Sequence, residues 1–198
     1  MAVAPRPLRF GAKEKLAYAF GYLGVSLLTF AVSQWLQSYY VPTSGGAPLL
    51  PTAAAFGTAL VLGRIIDGFA DPLAGYLSDT ARTPLGRRRP FLLLFGPLAG
   101  LCFALLFPRV GPGEHVPFWA FVGMLCAYYL TYTLAVTPYL ALLPDLAAGG
   151  ARLGITTYQT VFNFAGIAIA MLLGGQIRTN PLMAPILGAV GGFALMVP

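Results

Sequence analysis

Six long apolar runs, separated by short joints, decide what this chain can fold into. They span about 16–41, 53–77, 91–107, 118–143, 155–175 and 182–197. A helix needs roughly 20 apolar residues to cross the hydrocarbon core of a bilayer. The third and sixth runs are short but carry no charge. Water cannot satisfy a backbone in hydrocarbon, so such runs fold as helices that bond within themselves. The chain of 198 residues is 58% hydrophobic and 9% charged, against roughly 25% charged in soluble domains. A water-soluble fold could not solvate its surface with so few charges. The expected fold is an all-α membrane protein, a six-transmembrane-helix bundle in the lipid bilayer. Residues 1–15 form a cytoplasmic N-terminal segment, and 16–198 form the transmembrane domain.

The net charge of +6 could suggest a nucleic-acid binder, but the basic residues sit in short tracts between apolar runs and form no basic face, which argues against one. Cys102 and Cys126 fall inside apolar runs and read as small hydrophobes. His115 stands alone in a loop, whereas a zinc site needs three or four ligands. No cofactor is called for. A cleaved signal peptide is the rival reading of the first run, but the run is longer than the usual h-region and continues through Trp35, Tyr39 and Tyr40, an interfacial aromatic set.

Lys and Arg counts set the orientation. Arg6, Arg9, Lys13, Lys15, Arg82, Arg87, Arg88, Arg89 and Arg152 fall on one side, and Arg109 and Arg178 on the other. Both termini are expected in the cytoplasm, with the protein multi-pass in a plasma (inner) membrane.

Polar side chains are unevenly shared. The first helix carries Tyr18, Tyr22, Ser26, Thr29 and Ser33 at nearly helical period. The fourth carries Tyr128, Tyr129, Thr131, Tyr132, Thr133 and Thr137, and the fifth Thr156, Thr157, Gln159, Thr160 and Asn163. The third and sixth are blank. Each Ser or Thr alone is explained by a bond to its own helix backbone, but that does not explain four striped helices beside two blank ones. Tyr22, Ser26, Thr29, Tyr129, Tyr132, Gln159 and Asn163 are the candidates for a substrate cavity. Gly96 and Gly100, at helical spacing in the third helix, permit close packing.

The second helix holds Arg64, Asp67 and Asp71 within its apolar run. On insertion scales each charge at a helix centre costs roughly 2.5–3.5 kcal/mol, so their presence calls for a use. Spaced i, i+3 and i+7, they share one face. Arg64 is the charge partner for one of the two acids, and one negative charge is left for a proton or a monovalent cation. Hard carboxylate oxygens suit Na⁺ as well as H⁺. The plain alternative is an internal salt bridge that only locks the bundle.

Arg64-Ile-Ile-Asp67-Gly-Phe-Ala-Asp71-Pro72, Gly75-Tyr-Leu-Ser-Asp79 and Gly86-Arg87-Arg88-Arg89-Pro90 resemble the glycoside–pentoside–hexuronide:cation symporters of the melibiose permease type, a family of the major facilitator superfamily. Lys15-Leu-Ala-Tyr18-Ala-Phe-Gly21 and Tyr132-Thr133…Pro138-Tyr139 fit the same pattern. The resemblance implies a secondary symporter for sugars, glycosides or a related small solute, coupled to H⁺ or Na⁺ and working by alternating access. It implies that Asp67, Asp71 and Thr133 bind the cation. It also implies that Gly75, Asp79, Gly86, Arg87, Arg88 and Arg89 form a cytoplasmic switch motif, and that helices three and six lie outside the cavity. The chain departs from the pattern at four positions. Ser26 and Val136 stand where acids grip sugar, Gln159 where an Arg does, and Ala70 where an Asn helps hold Na⁺. The sugar grip is thus not carried over whole, and Na⁺ coupling is weakened relative to H⁺.

Family members have two six-helix halves with solute bound between them, and the resemblance covers the first. A second half is the expected partner, whether as the remainder of a longer protein or as another chain. A non-transporting half is the second reading. The third is a membrane enzyme like the CDP-alcohol phosphotransferases, for which Asp67-Gly68…Asp71…Gly75…Asp79 has a superficial likeness. Arg64 stands where that pattern needs an Asp.

Overall fold

The structure, a computed structural model, describes residues 12–42, 49–50, 52–84, 86–110, 114–146, 151–177, 179–180 and 182–197. Arg6, Arg9 and Arg178, used above for orientation, lie outside the described residues, as does the side chain of Arg152. Six helices make up the bundle: α1 (Ala12–Tyr40), α2 (Ala53–Thr80), α3 (Arg89–Leu105), α4 (Phe118–Leu146), α5 (Ala151–Gly174) and α6 (Met183–Met196). No strand occurs among the described residues.

Local chemistry sets several boundaries. Thr52 caps α2 by accepting a bond from the Ala55 amide at 3.1 Å, which satisfies one orphan donor of the first turn. Pro90 opens α3, where its missing N–H costs nothing. Gly86 turns the α2–α3 joint at φ +97°, a backbone region closed to most side chains.

Helices α1, α2, α4 and α5 are long and apolar enough to cross a membrane. With 17 and 14 residues, α3 and α6 rise only about 25 and 21 Å, less than the ~30 Å hydrocarbon core. These short helices pack on each other. A Cβ built on Gly96 would lie 3.0 Å from the Gly192 carbonyl oxygen, and Gly100 meets the backbone of Gly188. A step forward along α3 meets a step back along α6, so the two run antiparallel. Lipid is as apolar as leucine, so van der Waals contact at such close approach, not burial from water, holds them.

The packed pairs are α1 with α5 and α6, α4 with α2 and α3, and α3 with α6. Exchanging α1 for α4, α2 for α5 and α3 for α6 reproduces this set, so the bundle is two similar three-helix units. α1 and α4 face each other across the middle with little direct backbone approach, and tyrosines bridge the gap. Leu27, Leu28, Phe103, Phe121, Leu125 and Tyr128 fill the core.

Candidate cation and solute site

α2 and α4 run parallel in a constant register. Tyr129 packs on Gly63, where a built Cβ would come within 2.8 Å of the ring. One turn on, Thr133 Oγ1 donates to Asp67 Oδ1 at 2.5 Å. One turn further, Thr137 Oγ1 donates to Asp71 Oδ1 at 3.1 Å. The residues at each level are four apart on both helices, so the same α2 face meets the same α4 face three times. Gly63 makes the first contact close enough for the hydroxyls to reach the acids.

The guanidinium of Arg64 stands 4.9 Å above the Tyr129 ring and meets Asp67 Oδ2 at 3.3 Å. Charge-assisted bonds of this kind usually close to about 2.7–2.9 Å, so this contact is loose. The Arg64 side chain is 66% exposed and that of Asp67 24%. Asp67 therefore holds Thr133 on one oxygen and Arg64 on the other, while exposed Asp71 has no basic partner among the described residues. Between them lies Gly68, whose carbonyl loses its usual helix partner because Pro72 has no N–H.

Beside this ladder opens a cavity of about 240 Å³, walled by Thr29, Val32, Ser33 and Gln37 of α1, Phe56, Leu60, Arg64 and Asp67 of α2, and Tyr128, Tyr129 and Tyr132 of α4. Thr29 and Tyr132 join their hydroxyls at 2.5 Å across it. Of the residues expected in a substrate cavity, Thr29, Tyr129 and Tyr132 line it, as do Arg64 and Asp67. Tyr22, Ser26, Gln159 and Asn163 are not among its lining residues. The Ser26 hydroxyl lies 2.8 Å from the Tyr22 carbonyl and 2.5 Å from Asn163 Oδ1, with one hydrogen to give to either, which places Ser26 and Asn163 in the α1–α5 seam. Gln159 is buried there, beside the Tyr18 and Tyr139 hydroxyls. Two residues not assigned to the site from the sequence are Gln37, at the cavity wall, and Thr137, counted there only among the polar residues of the fourth helix. Thr137 had a signal, since its spacing from Thr133 repeats that of Asp71 from Asp67.

At the end of the bundle where α2 stops and α3 begins, Arg88 donates to Asp79 Oδ1 at 3.2 Å and to the main-chain oxygen of Ala141 on α4. The Arg88 side chain is only 11% exposed. Thr83 donates to the Gly86 carbonyl at 2.6 Å, closing the joint. Gly75 is open, with nothing near a built Cβ, and Arg87 and Arg89 are exposed. Asp79 pairs with Arg88, apart from the Asp67 and Asp71 contacts with α4.

Residues 17–196 match the model of a family described as MFS/sugar transport protein. The chain belongs to that family. It is 31% identical to the uncharacterized symporter YnaJ of Bacillus subtilis, over 92% of this chain and 41% of that protein. It is 30% identical to the glucuronide carrier protein homolog of Escherichia coli, over 83% of this chain and 36% of the relative. The sodium-dependent lysophosphatidylcholine symporter 1 of Mus musculus is 29% identical, over 83% of this chain and 31% of its own length. The chain thus spans less than half the length of these relatives. They are transporters by name.

Proposed function

We propose that this chain is one half of a cation-coupled secondary symporter for a sugar, glycoside or related small solute, working by alternating access. The observation that carries the reading is Asp67, mostly buried at a cavity wall inside a membrane bundle and held by Thr133 and a loosely bound Arg64. The cation, H⁺ or Na⁺, is shared by Asp67 and Asp71 with the Thr133 hydroxyl beside them. Its charge offsets the negative charge left after Arg64 is counted, and oxygen donors of this kind suit hard cations. Cation and solute then favour each other's binding reciprocally.

The second half completes the cavity. Phe69, Leu73 and Tyr76 of α2 and Val161, Phe164 and Leu172 of α5 are exposed, giving apolar faces for a second six-helix unit or for lipid. The relatives' greater length supports the former. Lys13, Lys15, Arg82, Arg87, Arg88 and Arg89 lie at one end, which we assign to the cytoplasm together with both termini. The Gly75–Arg89 stretch at that end serves as the switch motif. The cavity then opens toward the other side, because its wall runs from Asp67 and Thr29 to Gln37 and Phe56.

The test is uphill uptake by the intact transporter in sealed vesicles. Asp67→Asn and Asp71→Asn should each abolish accumulation against a gradient. Wild-type accumulation in either variant overturns the assignment. Dependence on Na⁺ at fixed pH, against dependence on pH without Na⁺, separates the two cations.

A further inference from the structure

We infer that the solute carries an anionic group, and that Arg64 recognises it by leaving Asp67. This rests on the transport reading above and adds to it the chemistry of the substrate. Arg64 lines the cavity with 66% of its side chain exposed. One guanidinium nitrogen reaches Asp67, at 3.3 Å, and no other hydrogen bond to the group is made among the described residues. A guanidinium is always charged and offers five donors in a planar fork. Most of that fork is therefore free. It stands 4.9 Å over the Tyr129 ring, and both side chains line the cavity.

Asp67 has a substitute ready. Thr133 holds its other oxygen at 2.5 Å, and a cation beside Asp71 compensates its charge when Arg64 departs. With Arg64 turned away, the walls around it offer hydroxyl and amide groups from Thr29, Ser33 and Gln37, fit to bond the neutral part of a polar solute. The anion and Asp67 compete for one guanidinium, while the cation and Arg64 compete for one carboxylate. Loading the cation thereby raises affinity for the anion, a coupling that needs only this one exchange of partners.

The exchange predicts opposite signs for two substitutions. Anion binding to the intact transporter in lipid nanodiscs is measured by calorimetry in Na⁺-free buffer. The probes are 4-nitrophenyl β-glucuronide, a sugar sulfonate and a hexose phosphate, with neutral 4-nitrophenyl β-glucoside as comparison. Arg64→Gln should lower affinity for the best anionic probe about tenfold or more, the usual scale for a charged hydrogen bond. Asp67→Asn should raise it, because Arg64 is then released from its partner. Loss of affinity in both variants marks a merely structural salt bridge and overturns the inference, as does tighter binding of the neutral glucoside or binding of no anionic probe. Cation-driven uptake of a neutral solute that survives Arg64→Gln overturns this inference and leaves the transport reading standing. Absence of any cation-driven uptake by the wild type removes both.

Discussion

Tyr18 of α1 and Tyr139 of α4 each donate the phenolic hydrogen to the other's main-chain oxygen, at 3.1 and 2.8 Å. Their rings stack with centroids 4.9 Å apart. Near this end of the bundle the gap between α1 and α4 is closed by these two residues, whereas nearer the other end it widens into the cavity. Tyr18→Phe and Tyr139→Phe should each cost about 1 kcal/mol, the usual net worth of one such bond. Thermal unfolding in detergent checks this, and the double variant should lose less than the sum, because the two bonds hold one contact.

The α3–α6 contact tests the fold itself. Gly100 faces the backbone of Gly188 with no room for a side chain. Gly100→Val should force the helices apart at a cost of about 1–3 kcal/mol or more, read as loss of the monodisperse peak in size-exclusion chromatography. Gly57, where a built Cβ meets nothing, is the comparison. Gly57→Ala should leave the peak unchanged, with stability altered by no more than about 1 kcal/mol.

The two hydroxyl–carboxylate contacts between α2 and α4 differ in length, and their removal should differ in effect. Thr133→Val removes the 2.5 Å contact to Asp67 and is expected to weaken cation affinity roughly tenfold. Thr137→Val removes the 3.1 Å contact to exposed Asp71 and should weaken it only a few-fold. Cation titration of uptake by the intact transporter measures both. Equal effects would show that the two contacts contribute alike.

Arg88 joins the α2–α3 joint to α4 through Asp79 and the Ala141 carbonyl. Arg88→Gln shortens that reach and removes the charge. If the joint is the switch, solute affinity should stay within about twofold while the maximal uptake rate falls by roughly tenfold or more, as expected when a conformational step is slowed. A change confined to affinity would place Arg88 at the solute site instead.

The grouping of the three charged residues on α2 was legible in the sequence. Arg64, Asp67 and Asp71 stood out because charge in an apolar run is costly, and i, i+3, i+7 spacing put them on one face. That Arg64 pairs with Asp67 and not Asp71 was not legible, since both acids share that face and only side-chain direction separates them. The same limit applies to the polar stripe of α1. Thr29 and Ser33 reach the cavity, while Ser26 turns to Asn163 on α5. Period tells which residues share a face, but not which neighbour the face meets.

The sequence by itself determined the membrane fold, the number of helices and the polar character of four of them. Those follow from hydropathy and period, which act within a single helix. Tertiary structure decided that α2 pairs with α4 in a constant register, that Tyr18 and Tyr139 close one end, and that Thr137 stands beside Asp71. Such contacts depend on how separate helices approach across a shared interior, and small residues such as Gly63, Gly100 and Gly188 set those distances by where they fall on both partners at once.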